Sequence, residues 1–448
     1  MFPCIVTSNS QLKFTVCKCT IHSPFYLSTR LLPGKIIMKN NLPSLLHHAC
    51  FVSSLCSLPV ELSLIDLNQF WCDIKSVHTP FISEGNNDSD KRNVTFFWRS
   101  EEILQGVYVR LNRVTDKKDV KKGLMTRVPS TDIWTLTLEL PATYRGSYSF
   151  IEIPPGMTPD EISQLGGRFS PLPGQPDLFN KASEINVRGF GESILSLDQA
   201  PEQKEWDDIS HTCRGTLSIS YSFVAGCKRR VRFYLPETPI ADPLGLLVLP
   251  DAETWFGRLD ITKAIDIAIT NGRIPPMAVL GIDNINESDR VKTLGGNKDF
   301  ILDIAGNLLP QIYKDHPNII WAGRSKTVFA GQSLGGVSAL MAALYAPQIF
   351  GMVISHSPSM WWSPERKTPV MFSENDSSWV SKQMLSMTKR DVNIRLGIGS
   401  LEGSMVSHVK NLHKMLRAAG MKSELSIYTG GHDYAWWRGA IIDGLTDV

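Results

Sequence analysis

The pattern of apolar and polar positions changes character twice along the chain, near Val60 and again near Thr216. Up to about Pro59 no strand or helix period is sustained. The apolar run Leu42–Leu58 is interrupted by His47 and His48 and carries no small-residue cleavage pattern, so residues 1–59 read as an extension and not as a signal peptide.

From about residue 60 to 155 the pattern is that of short strands. Val94–Trp98 and Gly106–Leu111 have strand composition, and Trp134, Leu136, Leu138 and Leu140 alternate with Thr135, Thr137 and Glu139. Arg145–Phe150 reads as a further strand. This predicts a small all-β domain, an immunoglobulin-like sandwich. Residues 156–209 are rich in Pro and Gly and read as a connector or lid.

From Thr216 strands alternate with helices. Candidate strands are Arg230–Leu235, Gly245–Leu249, Met277–Ile282, Thr327–Ala330, Gly351–Ser355, Asn393–Ile398 and Glu424–Tyr428. Between them, Phe300, Ile301, Ile304, Leu308 and Ile312 recur at helical spacing over Asp299–His316. The alternation predicts an α/β domain over 210–448, its mostly parallel sheet covered on both faces. In such sheets ligands bind beyond the carboxyl ends of the strands.

Composition narrows the function classes. The net charge of +2 over 448 residues, mixed in sign, gives no basis for nucleic-acid binding, and no apolar run is long enough to span a bilayer. No cysteine follows Cys227. A disulfide framework would not leave the α/β half empty, so a reducing, cytoplasmic location is expected. Cys17 and Cys19 have no second pair at zinc spacing, and no metal site of the protein is expected. Nothing in the sequence sets the oligomeric state.

The chemistry centres on Gly331-Gln-Ser-Leu-Gly335, a serine between small residues at a strand-to-helix turn. A serine so placed is a nucleophile elbow of the α/β-hydrolase kind, with the following helix N-terminus favouring developing negative charge. The hydroxyl needs a base and an orienting acid, which in this fold follow in the order Ser, Asp/Glu, His. Searching in that order gives Ser333 as nucleophile, Glu402 as the carboxylate after the strand Asn393–Ile398, and His432 in Gly430-Gly-His-Asp433 as base. His408 reads as a surface helix residue, and His356 as a possible pocket lining. The oxyanion donors are expected to be the N–H of Leu334 and that of Ala252 or Glu253, in the loop after Gly245–Leu249.

From about residue 60 onward the chain resembles the enterochelin esterases, which cleave the catecholate siderophore enterobactin. The resemblance rests on Val94-Thr-Phe-Phe-Trp-Arg99, Trp134 and Tyr144-Arg-Gly-Ser-Tyr148 in the first part. In the second it rests on Asp251-Ala-Glu-Thr-Trp255, Asp283 with Arg290, Asn297 to Phe300, the Ser333 elbow, Ser357-Pro-Ser-Met-Trp-Trp362, Gly430–Asp433 and Trp437-Arg-Gly439. The chain departs from the pattern at Ala252, at Gly403-Ser404 and at Lys292-Thr293. The resemblance implies hydrolysis of a ferric trilactone by Ser333, His432 and Glu402, with a substrate pocket near Arg290, Trp361, Trp362 and Arg438. Iron would enter bound to the substrate, a small-molecule catecholate siderophore, and no cofactor is implied. A serine esterase acting on another ester or siderophore, and a non-catalytic siderophore binder, are the alternatives.

Overall fold

The sequence from Thr216 onward builds one eight-stranded sheet, in the order β16-β15-β14-β13-β11-β12-β10-β9. Its strands are β9 Thr216–Val224, β10 Cys227–Leu235, β11 Gly245–Pro250, β12 Met277–Ile282, β13 Thr327–Gln332, β14 Met352–His356, β15 Asn393–Gly399 and β16 Ser423–Tyr428. Strands β11 to β16 run parallel, while β10 is antiparallel to β12 and to β9. The large mixed sheet thus has a parallel body and an antiparallel hairpin at one edge. The computed structural model describes residues 67–448 apart from 86–88, 117–119, 168–169, 181–184, 188–189, 208–210, 238–241, 367, 370–371, 387, 389–390 and 447. The extension 1–59 and its cysteines and histidines lie outside the described residues.

Period-two burial along the strands fills both faces. Leu246, Val248, Phe329 and Val353 join a core under the helix Leu334–Tyr345, whereas Leu247, Leu249, Val328, Ala330 and Ile354 join another under the helices Ile261–Thr270 and Tyr434–Asp443. The stretch read as one helix over 299–316 is three pieces: Lys298–Asp303, a π-helical turn Ile304–Leu308, and Leu309–Asp315. The apolar period survives the inserted turn, which is why the pattern does not reveal it.

The first part folds into two four-stranded antiparallel sheets. One comprises β1 Phe81–Glu84, β2 Lys91–Arg99, β5 Ile133–Pro141 and β4 Thr126–Arg127. The other comprises β3 Gly106–Leu111, β6 Arg145–Ile153, β8 Phe190–Ser196 and β7 Ile185–Val187. Val94, Phe96, Trp134, Leu138 and Leu140 from the first meet Val107, Val109, Tyr148 and Phe150 from the second in a common core. The reading of 156–209 as connector or lid needs correction, because β7 and β8 come from it and β8 pairs with β6 from Arg145↔Ser196 to Tyr148↔Ser193. The Pro-rich composition of the segment hides them; β8 exists through tertiary pairing with β6, and β7 through pairing with β8.

Candidate active site

β13 runs out at Gln332 and the chain turns sharply, with Ser333 at φ 59°, ψ −118°. A non-glycine residue in this region costs about 1–3 kcal/mol, which the surroundings must offset. They are built to do so. A Cβ on Gly331 would stand 2.3 Å from the Gly335 carbonyl oxygen, and one on Gly336 would stand 2.9 Å from that of His356. The Ser333 N–H donates to the His356 carbonyl at 3.0 Å, and the Ser333 carbonyl accepts the Ser359 N–H at 3.1 Å. The Ser333 hydroxyl lies 3.3 Å from that of Ser359. The helix Leu334–Tyr345 begins at the next residue, so its first N–H groups have no acceptor within the helix.

Glu402 sits in the turn after β15 with its side chain fully buried. One carboxylate oxygen accepts the Gly399 N–H at 2.9 Å and the Ser357 hydroxyl at 2.5 Å. The other accepts His432 Nδ1 at 2.6 Å. A carboxylate acceptor makes Nδ1 the donor of the neutral ring, leaving Nε2 without a proton and able to take one. Ser357, itself at φ 45°, accepts the Trp437 indole N–H at 2.9 Å. The Trp437 ring also packs edge-on to His432, with centroids 4.8 Å apart.

The His432 loop follows β16 and is gripped from the first part of the chain. Asn112 Nδ2 donates to the His432 carbonyl at 3.3 Å, and the Arg145 N–H to that of Thr429 at 2.9 Å. Asp433 is turned away from the imidazole: one oxygen accepts the Ser147 N–H at 2.6 Å, the other caps the helix Tyr434–Asp443 at Ala435 N–H, 2.9 Å.

After β11 the chain enters the short helix Ala252–Trp255 through Asp251, at φ 56°. Ala252 and Glu253 therefore present first-turn N–H groups at the carboxyl edge of the sheet. The Asp251 carboxylate accepts Arg290 Nε at 2.6 Å and Nη2 at 2.9 Å, Asn284 Nδ2 at 2.6 Å and Gln332 Nε2 at 3.2 Å. Gln332 also donates to the Tyr434 hydroxyl at 2.8 Å and accepts the Trp255 indole N–H at 3.2 Å. It thereby ties the elbow to the loop before it and to the helix after His432. Burial, followed by the charge of Asp251, raises the pKa of the Glu253 carboxyl.

Ser333, Glu402, His432, Leu334, Ala252 and Glu253 all stand at this end of the sheet, and Glu402 and His432 are in direct contact. The four residues expected to contact substrate are placed differently. Burial would lower the Arg290 pKa, but the charge and hydrogen bonds of Asp251 raise it overall, and the guanidinium is committed to that pair. Trp362 is buried against the Gly295–Gly296 backbone and edge-on to Trp379, centroids 5.0 Å apart. Trp361 is half-buried at the rim of the same core. Arg438 is buried away in another junction, where it donates to Gln203 at 2.7 Å and lies 5.6 Å from the Trp206 ring. Burial, then repulsion by Arg145, pushes it down to about 10. Trp362 and Arg438 are thus buried in packing of their own, and Arg290 holds Asp251 with Nε and Nη2.

His356 lies beneath the elbow, not in a pocket, and burial pushes it down to about 3. His408 is buried, with Nε2 2.8 Å from the Ser373 carbonyl oxygen, which corrects the surface reading. Sequence reasoning missed Gln332, Ser357, Ser359 and Trp437. All four lie inside motifs already singled out, but nothing in the residue types says what they touch.

An α/β sheet, a strained serine elbow and a buried carboxylate–histidine pair at its carboxyl edge make up the arrangement of an α/β hydrolase. The comparisons take this further. The family described as putative esterase matches residues 222–448, and that described as enterochelin esterase, N-terminal, matches 93–206, a span crossing both four-stranded sheets and most of 156–209. The chain is 56% identical to iron(III) salmochelin esterase of Escherichia coli O6:H1 over 88% of this chain and 97% of that one. It is 32% identical to iron(III) enterobactin esterase of the same organism over 79% of this chain and 90% of that one. The solved ferric enterobactin esterase of Salmonella typhimurium matches with TM-score 0.73 and 28% identity, covering 85% of this chain and 98% of that one. The chain belongs to this esterase family and is a carboxylic ester hydrolase.

Proposed function

We propose that the chain hydrolyses the trilactone ester bonds of a ferric catecholate siderophore, enterobactin or a relative, through an acyl-serine intermediate, and so releases iron in the cytoplasm. The observation that carries the mechanism is the buried Glu402–His432 pair at 2.6 Å on the carboxyl edge that holds Ser333. The substrate class rests on the salmochelin and enterobactin esterases to which the chain is similar over most of its length.

In this reading His432 Nε2 takes the Ser333 hydroxyl proton as the oxygen attacks a lactone carbonyl. The negative charge formed on the carbonyl oxygen is met by the N–H of Leu334 and by that of Ala252 or Glu253. Collapse breaks the ester C–O bond, and the departing seryl hydroxyl takes its proton back from His432. Water, deprotonated by the same imidazole, then cleaves the acyl-serine. Glu402 stays ionised and holds the ring. Iron is cargo, and cutting the scaffold weakens its hold by unlinking the three catechols.

Ferric enterobactin incubated with the chain should give linear trimer, dimer and monomer of dihydroxybenzoylserine by mass analysis. Ser333→Ala should give none; turnover retained in that variant would overturn the mechanism. The 56% identity to a salmochelin esterase, against 32% to the enterobactin esterase, favours salmochelin as a second reading of the substrate. Relative kcat/KM on the two siderophores decides between them.

A further inference from the structure

The two cations that sequence reasoning placed at the pocket are already paired within the protein: Arg290 with Asp251 and Arg438 with Gln203. Nearby, Arg230 and Arg232 both pair with Asp283. A ferric tris-catecholate is an anion, so the site needs another source of positive charge. The residues around His432 contain one, contributed by the first part of the chain.

The corner after β3 carries Asn112 and Arg113. Asn112 donates to the His432 carbonyl at 3.3 Å. Arg113 is held at φ 60°, a left-handed conformation uncommon for an arginine. Its backbone N–H donates to Asp116 Oδ1 at 2.9 Å, which fixes the turn. In that conformation the side chain lies on the base loop: a Cβ on Gly431 would stand 2.5 Å from Arg113 Cγ and 2.8 Å from its Cβ. Gly431 immediately precedes His432, and only a glycine leaves room for this approach. The Arg113 side chain is half-buried, and its guanidinium makes no ion pair with a described residue.

We propose that Arg113 is a specificity-determining residue that binds the anionic catecholate complex beside the catalytic base. The inference rests on the siderophore reading above. A guanidinium suits this ligand, because it offers planar N–H pairs to catecholate oxygens and a face to the aromatic ring. The first part of the chain would then contribute a substrate contact as well as support.

The test separates binding from turnover. Affinity for ferric enterobactin is measured by tryptophan-fluorescence quenching in full-length Ser333→Ala and in Ser333→Ala/Arg113→Ala. We expect Kd to rise about tenfold on loss of one charge-assisted contact, with a weaker dependence on salt. Arg113→Lys should recover part of the affinity. In the chain with Ser333 intact, the ratio of kcat/KM on ferric enterobactin to kcat/KM on the small neutral ester p-nitrophenyl acetate should fall about tenfold in Arg113→Ala. Equal affinity of the two Ser333→Ala proteins, or a parallel loss on the neutral ester, would overturn the assignment. Failure of the unmodified chain to produce siderophore fragments would overturn the functional reading itself, and product analysis reads that outcome separately.

Discussion

Ser357 receives one hydrogen bond and gives another, and both matter to the residue that orients the base. It accepts the Trp437 indole N–H and donates to Glu402, so the indole fixes the direction of the hydroxyl proton. Ser357→Ala leaves Glu402 with the Gly399 N–H and His432, and a buried carboxylate short of one donor. We expect kcat to fall by about 10–100-fold, the worth of a hydrogen bond to a charged group, with KM within about twofold. Steady-state kinetics on p-nitrophenyl acetate checks this; unchanged kcat would make Ser357 a packing residue. His356 makes a prediction of different sign structure. Burial lowers its pKa from 6.5 to about 3, so between these values the unfolded chain binds a proton that the folded chain does not. This contribution is complete above pH 6.5 and is lost as pH falls toward about 3. His356→Gln should flatten the fall of Tm between about pH 6.5 and 4, whatever its effect at neutral pH. Ser333, Glu402 and His432 could be picked from the sequence because the chemistry asks for Ser, an acid and His in a fixed order at strand ends, and the structure puts all three at the carboxyl edge of the sheet. Ser357, Gln332 and Trp437 could not, because each acts by bridging segments far apart in sequence.

At the scale of elements, the elbow is where backbone meets backbone. A methyl group at Gly331 would meet the carbonyl of Gly335, which cannot rotate away because it belongs to the first turn of the helix Leu334–Tyr345. Gly331→Ala must shift Ser333 or separate the strand from the helix. The expected result is a loss of about 100-fold in kcat, since sub-ångström placement of a nucleophile carries that weight. A lowered Tm should accompany it, and an alanine variant of full activity would contradict the close approach. The central parallel strands, β11 and β12 most clearly, were readable from their apolar runs, which is what a sheet buried on both faces requires. β7 and β8 were not, because the segment 156–209 carries the Pro and Gly signature of a connector and their strand character comes from pairing, of β8 with β6 and of β7 with β8. β9 was not read as a strand either, although Leu217, Ile219, Tyr221 and Phe223 alternate with Ser218, Ser220 and Ser222; these four large side chains are exposed on the outer strand of the hairpin.

At the scale of the whole molecule, the β-rich part and the α/β part share the loop that carries the base. Leu401, next to the orienting acid, packs on the core between the two four-stranded sheets. Arg145 and Ser147, on β6, donate backbone N–H groups to Thr429 and Asp433, on either side of His432. Ser147 N–H is satisfied only because Asp433 accepts it, and Asp433 uses its other oxygen to cap the helix Tyr434–Asp443. Both oxygens face donors, so an amide in place of the carboxylate must turn its NH2 toward one of them. Asp433→Asn is nearly identical in size and shape, yet it should cost about 1–3 kcal/mol of stability, the penalty for a buried donor left unmade. It should also lower kcat on the neutral ester, because the loop that positions His432 loses its anchor in the β-rich part. Chemical denaturation and steady-state kinetics measure the two effects. Loss of stability with full activity would mean that the β-rich part only shelters the α/β part; loss of both would make it a working half of the catalytic apparatus.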